Sequence, residues 1–138
     1  MQHDAFIGQV QARAGLGSRG EAEAVTRATL ETLAERIQAT QAENLADQLP
    51  HEIGEHLRRV AYAQDEPVTG ARMDRHEFFD RVAQRSGLDP PKAIHAARCV
   101  VEVVDEAVSG DVLGKIRQSL DEELATVLYA GSSGTAPR

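Results

Sequence analysis

The chain reads as all-α: a tandem duplication of a roughly four-helix unit, packed as one pseudo-twofold helical domain. Three observations predict this. Residues 6–16, FIGQVQARAGL, recur as residues 78–88, FFDRVAQRSGL, so that Phe6, Val10, Arg13, Gly15 and Leu16 are matched 72 positions later (78 − 6) by Phe78, Val82, Arg85, Gly87 and Leu88. Average amino-acid usage predicts fewer than about one such identity in eleven by chance. Along both halves, apolar residues recur at helical spacing between capping signatures. Aromatic residues make up only 4% of a chain that is 41% hydrophobic, so Leu, Val, Ile and Ala must fill the core, which suits helices packed on helices.

The first helix is expected from a cap at Asp4 to about Arg13, with Phe6, Ile7, Val10 and Ala14 forming one apolar stripe. Gly15 should end it in the left-handed conformation. Ser18 and Glu21 spell a capping box, opening a second helix to about Gln38 whose stripe is Thr26, Leu30, Leu33 and Ile37. Thr40 and Glu43 spell another, opening a short third helix that holds Leu45 and ends near Leu49. Pro50 suits the first turn of a fourth, where a missing N–H costs nothing; Ile53, Leu57 and Val60 face inward from it.

Residues 63–73, with Pro67, Gly70 and no periodicity, read as a linker between repeats 4–62 and 74–128. Asp74 and Glu77 cap a fifth helix that carries Phe78, Phe79 and Val82 and ends at Gly87. Asp89-Pro90-Pro91 opens a sixth, to about Ser109. From here the spacing is 71 (98 − 27): Arg27, Glu31, Glu35, Leu49, Glu52 and Leu57 match Arg98, Glu102, Glu106, Leu120, Glu123 and Leu128. Residues 99–108, CVVEVVDEAV, are β-branched enough to pass for a strand, but their repeat partner ATLETLAERI is a good helix former, so helix is expected. The extra Val100 and Val103, against Thr29 and Thr32, suggest that the sixth helix is buried on more of its surface than the second. The small, polar end, within 129–138, reads as a flexible tail. The domain is expected over 4–128.

The net charge is −7. Residues 1–63 carry 6 Lys/Arg and 9 Asp/Glu (−3), and residues 64–138 carry 9 and 13 (−4). Neither half is a basic footprint, which argues against nucleic-acid or anionic-membrane partners. One cysteine allows no intrachain disulfide, and neither a leader-like start nor a run of roughly 20 apolar residues is seen. A cytoplasmic protein is expected.

Four stretches then suggest a family. A phenylalanine helix ends in R-A-G-L; S-R-x-E-A-E follows at Ser18–Glu23, R-A-x-L-E-x-L-A-E-R at Arg27–Arg36, and L-A-x-Q-L-P-x-E at Leu45–Glu52. Over about residues 4–128 the chain resembles the bacterial domain-of-unknown-function family 2267. The resemblance implies a small helical protein with this tandem pattern; it brings no activity and no catalytic residues. Gly20 interrupts the usual helix-favouring start, and Asp121 stands where the first half has Pro50.

Gly15, Gly17 and Gly20 spell G-x-G-x-x-G, but that dinucleotide motif needs a preceding strand, and here a helix precedes it. His51 and His56 are five apart, about 140° around a helix, whereas a zinc-protease helix needs i, i+4. Paired Glu-x-x-His motifs of di-metal bundles are absent from the sequence, and His3, His76 and His95 are scattered. Cys99 among valines reads as a small core residue. Neither a catalytic residue, a cofactor nor a metal ligand is assigned. The polar set repeated in both halves stands out: Arg27, Glu31 and Glu35, and Arg98, Glu102 and Glu106, beside the apolar stripes, with Arg13 and Arg85 before the turns. Arg27, Glu31, Arg98 and Glu102 are the candidate interaction residues, either a pair of equivalent docking grooves or a boundary salt-bridge row. The function expected is a non-enzymatic protein-interaction or assembly module with a protein partner or a second copy. The alternative is a small-molecule or metal-binding protein with a site between the repeats.

Overall fold

A computed structural model describes residues 1–63 and 74–132. All but the first residue of the expected linker 63–73, and the last six residues of the chain, lie outside them. The described residues form eight α-helices: α1 His3–Ala14, α2 Arg19–Ala34, α3 Ala39–Ala46, α4 His51–Ala63, α5 Arg75–Ser86, α6 Pro90–Ala107, α7 Val112–Gln118 and α8 Glu122–Leu128. No strand occurs among them.

Local signals account for most boundaries. Gly15 has φ +66°, and a Schellman turn ends α1, with Leu16 N–H donating to Gln11 O (3.0 Å) and Gly15 N–H to Ala12 O (3.4 Å). Gly87, at φ +76°, ends α5 in the same left-handed conformation. Ser18 Oγ accepts from Glu21 N–H at 3.1 Å, and Asp74 from Glu77 N–H at 2.8 Å. Two caps differ from expectation. Asp4 lies inside the first turn of α1, with Gln2 at the cap; there its charge still favours the helix dipole. Gln38, not Thr40, caps α3, and its N–H donates to Gln41 Oε1 at 3.1 Å. Helix α2 ends at Ala34, short of the expected Gln38, where the chain tightens so that Arg36 N–H donates to Leu33 O at 2.9 Å, and Gln38 itself is extended (ψ 152°). Ile37 is buried all the same.

Helices α2 and α6 touch at the centre. Each first-in-half helix spans the junction: α1 packs on both α2 and α6, and α5 on both α6 and α2. Helix α4 covers α2 and α3, α8 touches α5 and α6, and α3 reaches α7. One continuous apolar cluster runs through both halves, including Phe6, Val10, Leu30, Ile53, Phe78, Val82, Val101 and Leu124. Gly54 lets α4 approach α3 closely: a Cβ there would sit 2.8 Å from the Ala46 carbonyl oxygen.

The residues 99–107 are helical, as their counterpart implied. The inference drawn from their valines is not met. Thr29 and Thr32 are as fully buried as Val100 and Val103, so α2 is no less enclosed than α6. The difference is chemical. Thr32 Oγ donates to Ala28 O at 2.7 Å and accepts from Arg85, whereas the hydroxyls of Thr26 and Thr29 meet no hydrogen-bond partner among the described residues. The chain end also departs from a loose tail at Tyr129–Ser132. Tyr129 is half-buried and its hydroxyl donates to Leu113 O at 2.7 Å, while Gly131 and Ser132 bond to α6.

Candidate functional site

The four residues singled out from the repeat do not form one surface. Arg27, largely exposed on α2, donates to Glu31 at 3.1 Å, and Arg59 lies 3.7 Å from the same carboxylate. Arg98, 71 positions after Arg27, is 0% exposed and donates through Nη2 to Gly131 O at 2.5 Å. Its guanidinium thus faces the chain's own Gly131 and not solvent. Glu102 is three-quarters covered and already engaged by Arg13 and Ser132.

The residues that join the halves are the arginines ending α1 and α5. Arg13 grips Glu106 with both Nη atoms, at 2.7 Å each, and Nη1 also reaches Glu102 at 2.7 Å. In the other half Arg85 Nη1 donates to Glu35 at 2.7 Å and to Thr32 Oγ at 2.8 Å, and Arg81 adds a 3.4 Å contact to Glu35. The Glu106 carboxylate holds the Arg13 guanidinium above its ordinary range, and Glu35 does the same for Arg85. Reciprocally, Arg13 holds Glu106 below the usual carboxylate range; Glu102 is lowered first by the hydroxyl and amide of Ser132 and then by Arg13. The repeated glutamates are thus used inside the molecule. The signal for Arg13 and Arg85 was their identity in both halves, but a partner 93 residues away cannot be read from spacing.

The motifs resembling catalytic ones have structural uses. Helix α1 precedes the glycines, and at the start of α2 the Gly17 and Glu21 amides are taken by Glu21 Oε2 and Ser18 Oγ, each at 3.1 Å. A carboxylate thus occupies the place a phosphate would need. His51 is exposed, and His56 Nδ1 accepts from Arg59 at 2.7 Å. Burial, then the Arg59 charge, lowers the His56 pKa. Among the described residues, no group of three or more His, Cys, Asp and Glu side chains is placed to hold a metal ion. Cys99 lies in the core with its Sγ 3.7 Å from His95 Nε2, and burial pushes the thiol up to about 11. A thiol so shifted stays protonated and is a poor nucleophile at neutral pH.

Open space is found elsewhere. Helices α1, α2 and α4 flank a cleft of about 440 Å³ lined by His3, Ile7, Glu23, Arg27, Glu52 and His56. Helices α5 and α8 flank one of about 600 Å³ lined by Arg75, His76, Glu122, Glu123, Thr126 and Val127. Positions correspond across the halves: His3 with Arg75 at 72, and Glu52 with Glu123 and His56 with Val127 at 71. His3, far from His56 in the sequence, meets Glu23 at 3.5 Å and shares the first cleft with His56.

These features define a protein that is all-helical over its described residues, whose repeated Arg13/Arg85 and Glu106/Glu35 pair within the chain and whose open clefts are lined by charged residues. Residues 3–127 match the family model described as uncharacterized conserved protein DUF2267, and the chain belongs to that family. No curated protein matches the chain. No helix among the described residues is long and apolar enough to cross a membrane.

Proposed function

We propose that this is a non-enzymatic, cytoplasmic helical module that binds a protein partner or a second copy of itself through two equivalent clefts. The observation that carries the reading is the pair of open, charged clefts between the first and fourth helices of each half, α1/α4 and α5/α8. The module is read as a tandem duplication about a pseudo-twofold axis. In support, a shift of 72 carries both ends of α1 onto those of α5, and a shift of 71 carries the starts of α2 and α4 onto those of α6 and α8. The α1–α6 and α5–α2 contacts, and the Arg13–Glu106 and Arg85–Glu35 pairs, correspond in the same way. The acidic balance opposes nucleic acid as the partner.

Light scattering after size-exclusion chromatography, over a concentration series, tests the second-copy form with the E52K/E123K variant as control. Growth in mass for the wild type, lost in the variant, supports the reading. If the protein stays monomeric, zero-length cross-linking to candidate partners tests the other form, and products unaffected by E52K/E123K overturn the assignment to the clefts. A small-molecule site is the second reading, favoured by the mixed charges of His3, Glu23, Arg27 and Glu52 around one cleft. A thermal-shift ligand screen of wild type against E52K tests it.

A further inference from the structure

The last described residues sit on α6 in a way the first half does not reproduce. Gly131 O accepts from buried Arg98 Nη2 at 2.5 Å; Ser132 N–H donates to Glu102 Oε2 at 2.8 Å, and Ser132 Oγ to Glu102 Oε1 at 2.6 Å. One carboxylate thus reads an amide and a hydroxyl of the same residue, and one guanidinium reads the preceding carbonyl. All three are charge-assisted hydrogen bonds, the stronger kind, made to one two-residue segment in a left-handed turn. The fit is selective for glycine. Gly131 has φ +79°, and a Cβ there would lie 2.6 Å from Glu102 Oε2.

The approach is fixed upstream: α8 ends at Leu128, the Tyr129 hydroxyl bonds Leu113 O at 2.7 Å, and the Arg117 guanidinium lies 5.2 Å from the centre of the Tyr129 ring. In the first half, Arg59, Val60 and Ala61 occupy the matching positions and continue α4 as helix. Glu31, the match of Glu102, pairs there with Arg27 and Arg59. The peptide contact is therefore particular to α6. It is also joined to the connection between the halves, because Glu102 Oε1 accepts from Arg13 Nη1 at 2.7 Å as well as from Ser132 Oγ.

We infer that Arg98 and Glu102 form a peptide-recognition site for a Gly-Ser segment, filled in cis by the chain's own Gly131–Ser132, and that the seated segment steadies the Arg13–Glu102 link between the halves.

The test is NMR on the full chain. In the wild type the Ser132 amide exchanges at least about tenfold more slowly than in a free peptide, as expected for a hydrogen-bonded amide. In S132A and E102Q that protection falls by about tenfold, and the Arg13 Nε–H resonance moves in both. The chain carrying G131A, whose own segment is strained in the seat by its positive φ, is then titrated with a synthetic peptide of residues 129–138. Saturable shifts at the Arg98 and Glu102 amides, absent when the wild type is titrated, support the site. An unprotected Ser132 amide in the wild type overturns the inference, as does G131A that is folded by circular dichroism yet shows no shifts at millimolar peptide. Light scattering that reports segments exchanged between two copies overturns the cis occupancy.

Discussion

Arg13 at the end of α1 and Glu106 at the end of α6 meet as a two-pronged ion pair across 93 residues, both contacts at 2.7 Å. Arg85 and Glu35 form the matching contact in the other direction, also at 2.7 Å. Each half therefore holds the other's long helix by the last turn of its own first helix.

Removing one arginine should loosen this junction without dissolving the core. Arg13 is partly covered and makes three charge-assisted bonds, so R13Q should cost about 1–3 kcal/mol in urea denaturation. R13K should recover only part, because an ammonium cannot repeat the two-pronged contact. An unchanged midpoint in R13Q would show the pairs to be ornamental.

The same pair sets an acid dependence. Glu102 and Glu106 are both held below the usual carboxylate range in the folded protein. The unfolded chain, titrating at about 4.3, then binds more protons, and stability falls as pH falls. The contribution is complete above the unfolded value and is lost as pH drops through the lowered folded values. The stability gap between wild type and R13Q should therefore shrink from pH 6 toward pH 3. A constant gap in urea titrations across that range would refute the assignment.

Two glycines in helices should respond in opposite directions. Gly54→Ala drives a methyl to 2.8 Å from the Ala46 carbonyl oxygen and should cost about 1–3 kcal/mol by forcing α3 and α4 apart. Gly8 in α1 has nothing within 4 Å of an added Cβ, so Gly8→Ala should stabilise by about 0.5–1 kcal/mol. Thermal midpoints of the two variants give the signs.

The buried threonines of α2 offer another pair. Thr29→Val replaces a buried hydroxyl without a partner among the described residues by the residue the second half has in Val100; it should stabilise by about 1 kcal/mol. Thr32→Val removes the acceptor of an Arg85 bond and a bond to Ala28 O, and should destabilise by about 1 kcal/mol. Chemical denaturation in which both move together would contradict the hydrogen-bond accounting.

Cys99 should behave as core. With its thiol raised to about 11 and its side chain enclosed, it should resist Ellman's reagent at pH 8 in the native protein and react at once in denaturant. Rapid native labelling would show that α6 opens.

The amino-acid sequence alone determined the helices, because a cap, a stripe and a terminating glycine act within a few residues. Ser18, Gly15, Asp74 and Gly87 did what their chemistry dictates, and the Phe6/Phe78 stripes are buried as their spacing required. Where several residues could cap one start, sequence ranked them wrongly: Gln2 and Gln38 serve in place of Asp4 and Thr40. Tertiary structure alone decided the use of the repeated charges. Arg27 and Arg98 occupy matching positions, yet one reaches solvent and the other is enclosed. Beyond Leu128 the chain leaves the helix and Gly131–Ser132 lies against α6, whereas the corresponding part of the first half continues as α4. Burial and ion pairing depend on which distant segments close on a residue, and that is set by the packing of the whole chain.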